Sequence, residues 1–410
     1  MRIKSTIVWL SLIGILGFSS CTEDDATPKP EDINISASET AAEDAQLAFI
    51  EVEDGQTIVF GEGVFNFTNT LSMDGKKEIT IIGAGKDKTF LDFNGQIAGG
   101  DGVLITNSTK IRVEGLTIRD SKGDALKTRD CNTVSFVSVG TVWSGEPRME
   151  NGAYGLYPVL CTEVYIDDCY AYGASDAGIY VGQSDKVIVK NSVAEGNVAG
   201  IEIENTTNAD VFDNEAFDNT GAILVFDLPG LTKYGSSVRV FNNNCHDNNR
   251  KNFAPEGNIV ANVPAGTGCM VLSTKDVEIF ENTFDENNFA SVIVANYLLI
   301  NQQANDPLYN PFPSGIYIHD NSYTMSANIT AEQPALIQQL VGVLGLYQLS
   351  QPHIFIDGII PGVESICIQE SNSSFVNLNA LDQTFQSVKT DISAHDCTKD
   401  PLSEVEFSPF

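Results

Sequence analysis

Lys127, Tyr157, Tyr180 and Glu202 follow one another at 30, 23 and 22 residues, the last two steps matching the interval at which much of the chain repeats, and they are side chains that could work on a sugar. A tyrosine offers a flat apolar face to a pyranose ring and a hydroxyl that can be aimed at it. A carboxylate moves protons or holds a cation, and a lysine can neutralise a uronate. In elimination or C5-epimerisation a base removes the proton beside a carboxylate that a cation must neutralise. Lys127, Tyr157, Tyr180 and Glu202 are therefore the candidate catalytic residues. Asp124, Arg129, Tyr154, Asp176, Gln183, Glu204 and Asp227 are the candidate substrate-binding residues around them. A polar outward face is also what any soluble repeat protein needs, so both readings stay open.

The elements that must position these residues follow from one phrase. Gly178-Ile179-Tyr180-Val181 is followed 22 residues later by Gly200-Ile201-Glu202-Ile203, and after the same interval by Ala222-Ile223-Leu224-Val225. Between them lie alternating runs that close on Asn, Asp or Gly turns, such as Val187-Ile188-Val189-Lys190-Asn191 and Val238-Arg239-Val240-Phe241-Asn242. Alternation marks strands, and a fixed period marks stacked units that cannot bury their apolar faces alone. About 22 residues with three short strands and three turns predicts one coil of a single right-handed parallel β-helix, an all-β solenoid. A leucine-rich repeat has a similar length but needs a Leu-rich consensus that is missing.

Side chains alternate along a strand, so Ile179, Val181, Ile201, Ile203, Leu126, Leu156, Ile223 and Val225 should point inward. The outward column is then Lys127, Tyr157, Tyr180, Glu202, Leu224, with Arg129, Val159, Gly182, Glu204, Phe226 beside it. Its four polar members would form a ladder roughly 15 Å long at about 4.8 Å per coil. Asp124 and Asp176 fall at strand entrances, Gln183 and Asp227 at strand ends.

Fifty-five acidic against 23 basic residues leave a net charge of −32. Nucleic acid is excluded as a partner, since phosphate is bound through Lys and Arg. A polyanionic sugar would need a bridging divalent cation, which leaves room for Ca2+ as the one cofactor; otherwise the acidity serves solubility. There is no GGxGxD roll, H-E-x-x-H, G-x-S-x-G, Walker loop or dinucleotide fingerprint, and no metal site is assigned. His246, His319, His353 and His395 are scattered, with none at ligand spacing from another, and His246 and His319 read as polar turn residues. Asp167-Asp168 is present, but the Asn-Thr-Asp and Gly-His-Gly signatures of polygalacturonase-type hydrolases are not. Asn191, Asn214, Asn242, Asn243, Asn282 and Asn321 read as structural turn residues.

Residues 1–20 are expected to be a signal peptide: Arg2 and Lys4 precede an apolar stretch too short to span a bilayer. Ser19 and Ser20 then precede Cys21, which resembles a bacterial lipoprotein signal with Cys21 as the acylated residue. Thr22-Glu23-Asp24-Asp25 resembles the surface-export signal of Bacteroidetes lipoproteins, or is only the start of a polar tether, 21–42. The expected location is the outer membrane, anchored through the lipid on Cys21, with the acidic cluster pointing to the cell surface. Of the remaining cysteines, Cys131, Cys161, Cys169, Cys245 and Cys269 should fill the interior, and Cys367 and Cys397 are the disulfide candidates. A helix over 43–52 should cover the bottom of the stack, which is expected over 43–324. Loops should project at 142–153, 228–237 and 296–313. A C-terminal cap, 325–410, should hold a helix at 335–348 and strands at 353–357 and 365–368.

Longer phrases carry a resemblance: Gly123-Asp124-Ala125-Leu126-Lys127, Asn151-Gly152-Ala153-Tyr154-Gly155-Leu156-Tyr157, Ser175-Asp176-Ala177-Gly178-Ile179-Tyr180 and Gly200-Ile201-Glu202-Ile203-Glu204. Over roughly 43–321 the chain resembles exported bacterial parallel β-helix repeat proteins. The resemblance implies export and the right-handed β-helix, and it brings no catalytic residues. More distantly the fold is similar to that of pectate lyases, alginate epimerases and the copper-site accessory proteins of nitrous oxide reductase. The expected function is an envelope-anchored lipoprotein that binds or modifies an extracellular polysaccharide, as a lyase or epimerase would. The alternative is a non-catalytic scaffold that docks an exported protein partner through the 142–153 and 296–313 loops.

Overall fold

The computed structural model describes residues 31–300, 304–325, 329, 332–380 and 387–410. The expected signal peptide, Cys21 and the first part of the tether lie outside them. Among the described residues, strands stack into a 20-stranded and an 11-stranded sheet, and every strand pairing in both is parallel. The 11-stranded sheet runs from Asn69–Asp74 to Phe375–Asn377 and is one wall of the solenoid. Longer strands such as Asp185–Lys190 and three-residue strands such as Val193–Glu195 make the other walls.

The inward column is built from aliphatic alternation. Ile179, Ile201, Ile223, Cys269, Val292, Ile354 and Phe375 stand in register and are all buried. Each fully buried Ile or Val contributes roughly 1.5–3 kcal/mol of transfer free energy, and the column runs the length of the wall. Cys131, Cys161, Cys169, Cys245 and Cys269 are free and buried, acting as small apolar fillers.

Buried amides hold one turn together. Asn214 Nδ2 donates to Asn243 Oδ1 at 3.0 Å, Asn243 to Asn282 at 2.9 Å and Asn282 to Asn321 at 3.0 Å. Glu370 Oε1 ends the series by accepting from Asn321 Nδ2 at 2.8 Å. A second ladder, Asn197, Asn219, Asn248 and Asn287, runs beside it. Asn191 and Asn242 stand outside both, in the left-handed turn conformation at φ 48° and 53°.

Helix α1 (Ala41–Glu51) closes the bottom of the stack with Ala41, Ala45, Ala48 and Phe49 buried. At the other end the ladders continue beyond Met325. Ile354–Ile356 pairs with Ala290–Ala295, and Ile366–Gln369 pairs with Ser314–His319. Two strands expected in a cap are thus rungs of the stack, because Ile354-Phe355-Ile356 and Ile366-Cys367-Ile368 keep the inward alternation. Helix α2 (Ala335–Leu346), inserted ahead of them, hides the period. The chain then turns back as a strap. Cys367 and Cys397 form a disulfide. Beyond it, Leu402 N donates to Glu278 Oε2 at 2.9 Å and Val405 N to Asp210 Oδ2 at 3.1 Å. Arg112 Nη1 reaches the Phe410 carbonyl at 3.1 Å.

The upper part of the 11-stranded sheet is covered on its outer side. Tyr180, Leu224, Phe226, Met270, Ile293 and Phe355 pack there in a second apolar core with Val260, Val263 and the inner face of α2, Ile337, Leu340 and Leu344. The segment 247–266, with its short turn Ile259–Asn262, supplies part of this roof and was not among the expected loops. After Gly221 the next glycine-led strand begins only at Thr267, and that long gap is the signal it left in the sequence.

Candidate functional site

Lys127, Tyr157, Tyr180, Glu202 and Leu224 occupy successive rungs in register. Their exposure differs from expectation. Lys127 and Tyr157 are half-buried, whereas Tyr180 is 3% and Glu202 1% exposed. The ladder is therefore open at its lower end and roofed at its upper end by the second core.

Around the step between open and roofed, three aromatic rings meet. Tyr154 lies 4.5 Å from Tyr157 and 4.5 Å from Tyr180, and Tyr157 meets Tyr180 edge-on at 4.9 Å between centroids. The Lys127 ammonium sits 4.4 Å from the Tyr157 ring centroid and 2.9 Å from Asp124 Oδ2. Tyr180 donates to Glu204 Oε1 at 2.6 Å, and Tyr154 to Asp176 Oδ2 at 3.4 Å. Asn258, from the roofing segment, donates to the same Asp176 oxygen at 2.9 Å. Glu202 Oε2 is buried without a hydrogen-bond partner.

Burial dominates the electrostatics. It raises the Asp176 carboxyl to about 7, helped by the nearby Glu204. Burial, then Asp176 and Glu204, hold Glu202 well above the ordinary carboxylate range. Glu204 is raised by burial while the Tyr180 hydroxyl pulls it back. The phenols of Tyr154, Tyr157 and Tyr180 are all pushed up, by burial first and by the carboxylates second. They remain phenols, so none is poised as a phenolate base.

The structure gathers Asp124, Lys127, Tyr154, Tyr157, Asp176, Tyr180, Glu202 and Glu204 at one place, and gives the other candidates different partners. Arg129 is exposed and pairs with its neighbour Asp130 at 3.1 Å. Gln183 Oε1 accepts from the Thr232 amide and hydroxyl. Asp227 accepts from Gly235 N at 2.7 Å, so Gln183 and Asp227 hold the 228–237 loop down. Two further residues belong to the cluster. Asp101 lies against Asp124 and Lys127, and burial raises its carboxyl; Gly100-Asp101-Gly102 echoing Gly123-Asp124-Ala125 is the signal that marks it. Asn258 had no such signal. Among the described residues no group of three or more His, Cys, Asp or Glu is arranged to hold a metal ion.

Residues 51–227 and, overlapping them, 101–333 match the family model of the right handed beta helix region. The chain belongs to this family. Among solved structures, the right-handed β-helix of this chain is similar to that of the mannuronan C-5 epimerase AlgE4 A-module of Azotobacter vinelandii. Identity is 14%, covering 80% of this chain and 94% of that one, with a TM-score of 0.49. An alginate lyase from a Paenibacillus species is similar at 13% identity, covering 74% and 98%, TM-score 0.33. Endopolygalacturonase I from Stereum purpureum is similar at 13%, covering 73% and 99%, TM-score 0.41. A comparison with curated proteins finds no match. The Cys367–Cys397 disulfide suits the oxidising surroundings of an exported β-helix protein.

Proposed function

We propose that this chain is an envelope-anchored β-helix lipoprotein, held through a lipid on Cys21, that binds an extracellular polysaccharide. The binding face runs from Asp101 and Lys127 through Tyr157 to the roofed Tyr180. The observation that carries the reading is the tyrosine triangle at the open end of the ladder, flanked by Asp124 and Lys127. Aromatic faces beside fixed polar groups suit a sugar ring, and half-burial lets Tyr157 be reached from solvent. Binding is better supported than elimination or epimerisation, because burial, and after it the neighbouring carboxyls, keep the tyrosines as phenols.

A polysaccharide array probed with the wild-type chain and with Tyr157→Ala tests this. Retention of a glycan by the wild type, weakened at least about tenfold by the substitution, is the expected result. No retention of any glycan sinks the reading. Metabolic labelling with a fatty-acid analogue tests the anchor: label that is absent, or that persists in Cys21→Ser, removes it.

One observation favours the second reading, a scaffold for an exported protein partner. Met149 is 51%, Leu298 46% and Leu308 81% exposed in the 142–153 and 296–313 loops. A stoichiometric partner captured from an envelope fraction and indifferent to Tyr157→Ala would favour it.

A further inference from the structure

Neither cation of the candidate face is free to receive a uronate. Lys127 is matched to Asp124 and Arg129 to Asp130. Asp101, Asp176, Glu202 and Glu204 surround the same tyrosines and make no ion pair among the described residues. A uronate carboxylate brought to Tyr157 would find no free cation to offset its charge beside these acids. A ligand cation meets the opposite situation. A buried carboxyl can release its proton and pair with it, and tyrosine faces attract it, since their quadrupoles favour ammonium groups within about 6 Å of the ring centroid. The chain already displays this mode, with the Lys127 ammonium on the Tyr157 face beside Asp124.

Glu202 supplies an independent sign. Its side chain is 1% exposed, its Oε2 has lost water and gained no donor, and it faces Asp176 and Glu204. A buried acceptor left unpaired is costly, and a donor from a ligand would recover that loss. The covering segment reaches this cluster through Asn258, which donates to Asp176 Oδ2.

We infer that the face takes an amino glycan: a polysaccharide of hexosamine units with free amines. Its ammonium groups would rest against Tyr154 and the edge of Tyr157, toward Asp176 and Glu204, beside the Lys127–Asp124 pair. The inference rests on the polysaccharide-binding reading and adds the class of sugar.

Calorimetric titration of the full chain, at fixed ionic strength, compares four probes of similar length. They are deacetylated chitosan oligosaccharides, fully acetylated chitin oligosaccharides, oligogalacturonate and oligolysine. The chitosan oligomer should bind about tenfold or more tighter than the acetylated one, and oligogalacturonate should not bind. Tyr157→Ala and Glu204→Gln, each checked for an unchanged circular dichroism spectrum, should each weaken chitosan binding about tenfold. Oligogalacturonate binding as tightly as chitosan and depending on Tyr157 would overturn the amino-glycan assignment while leaving the polysaccharide reading in place. Oligolysine binding as tightly as chitosan, with Tyr157→Ala silent, would reduce the effect to bulk charge and also overturn it. Failure of every sugar would remove both.

Discussion

Tyr180 lies across Gly182 and donates its hydroxyl to Glu204 Oε1 at 2.6 Å, one coil above its own strand. The posture is available only because residue 182 has no side chain. A Cβ there would run into the Tyr180 ring. Gly182→Ala should therefore push the ring off Glu204 and cost about 1–3 kcal/mol of stability, with Tyr180→Phe costing a similar amount by leaving Glu204 without its donor. Urea unfolding measures both. If the glycine substitution is neutral, the ring is not pinned as described.

Glu202 is the weak rung of its column. It stacks between Tyr180 and Leu224, buried, with Oε2 unpartnered. Glu202→Leu should stabilise the chain by about 1–3 kcal/mol, since an apolar side chain of similar size replaces an orphaned acid, and should abolish recognition of an amine-bearing ligand. A lower unfolding midpoint in the variant would show that the carboxyl has a partner after all.

Asp176 makes stability fall as pH rises. Its carboxyl is raised from 3.8 to about 7 in the fold, so the folded state holds a proton that the unfolded chain releases earlier. Below pH 3.8 the group contributes nothing. The penalty grows between there and about 7, at up to about 1.4 kcal/mol per unit, and is constant above. The groups facing it are Tyr154, Asn258, Glu204 and Asp124, with Glu202 beyond, and Glu202 and Glu204 have raised carboxyls of their own. Asp176→Asn should therefore flatten the loss between pH 4 and 7 without removing it. Equal slopes for both proteins, by chemical unfolding at several pH values, would contradict this.

Adjacent asparagines should differ sharply in weight. Asn243 is buried and bonds above, below and to its own coil, through Asn214, Asn282, Val211 and Phe241. Asn243→Ala strands several of these groups and should cost about 3–5 kcal/mol. Asn242 is exposed at φ 53° and donates its side-chain amide to Asp213, and its replacement by Ala should cost about 1 kcal/mol, chiefly through backbone strain. Thermal unfolding separates them.

The rungs were legible because two periods reinforce each other, alternation within a strand and the recurring interval between coils. Those periods suffice to put Lys127, Tyr157, Tyr180 and Glu202 on one column. They could not show that half the column is roofed. The roof comes from Asn258, Val260, Val263, Ile337 and Leu340, in segments with no period of their own and far away in the chain. The ion pairs were hidden for a related reason. Alternation says which way Lys127 and Arg129 point, whereas their partners Asp124 and Asp130 sit at turns, where side-chain direction depends on local backbone. Asn242 and Asn243 look alike in sequence, and only the positive φ of the first tells the turn residue from the ladder member.

The strap from Cys397 to Phe410 changes what kind of object the solenoid is. In a simple stack each coil feels only its neighbours, and the two ends can fray independently. Here the returning chain is fastened at Cys367 near the top, at Glu278 and Asp210 in the middle, and at Arg112 near the bottom. A line of contacts becomes a closed circuit. Loosening at one end is felt at the other, so coils far apart share one fate and the shaft resists peeling as a unit.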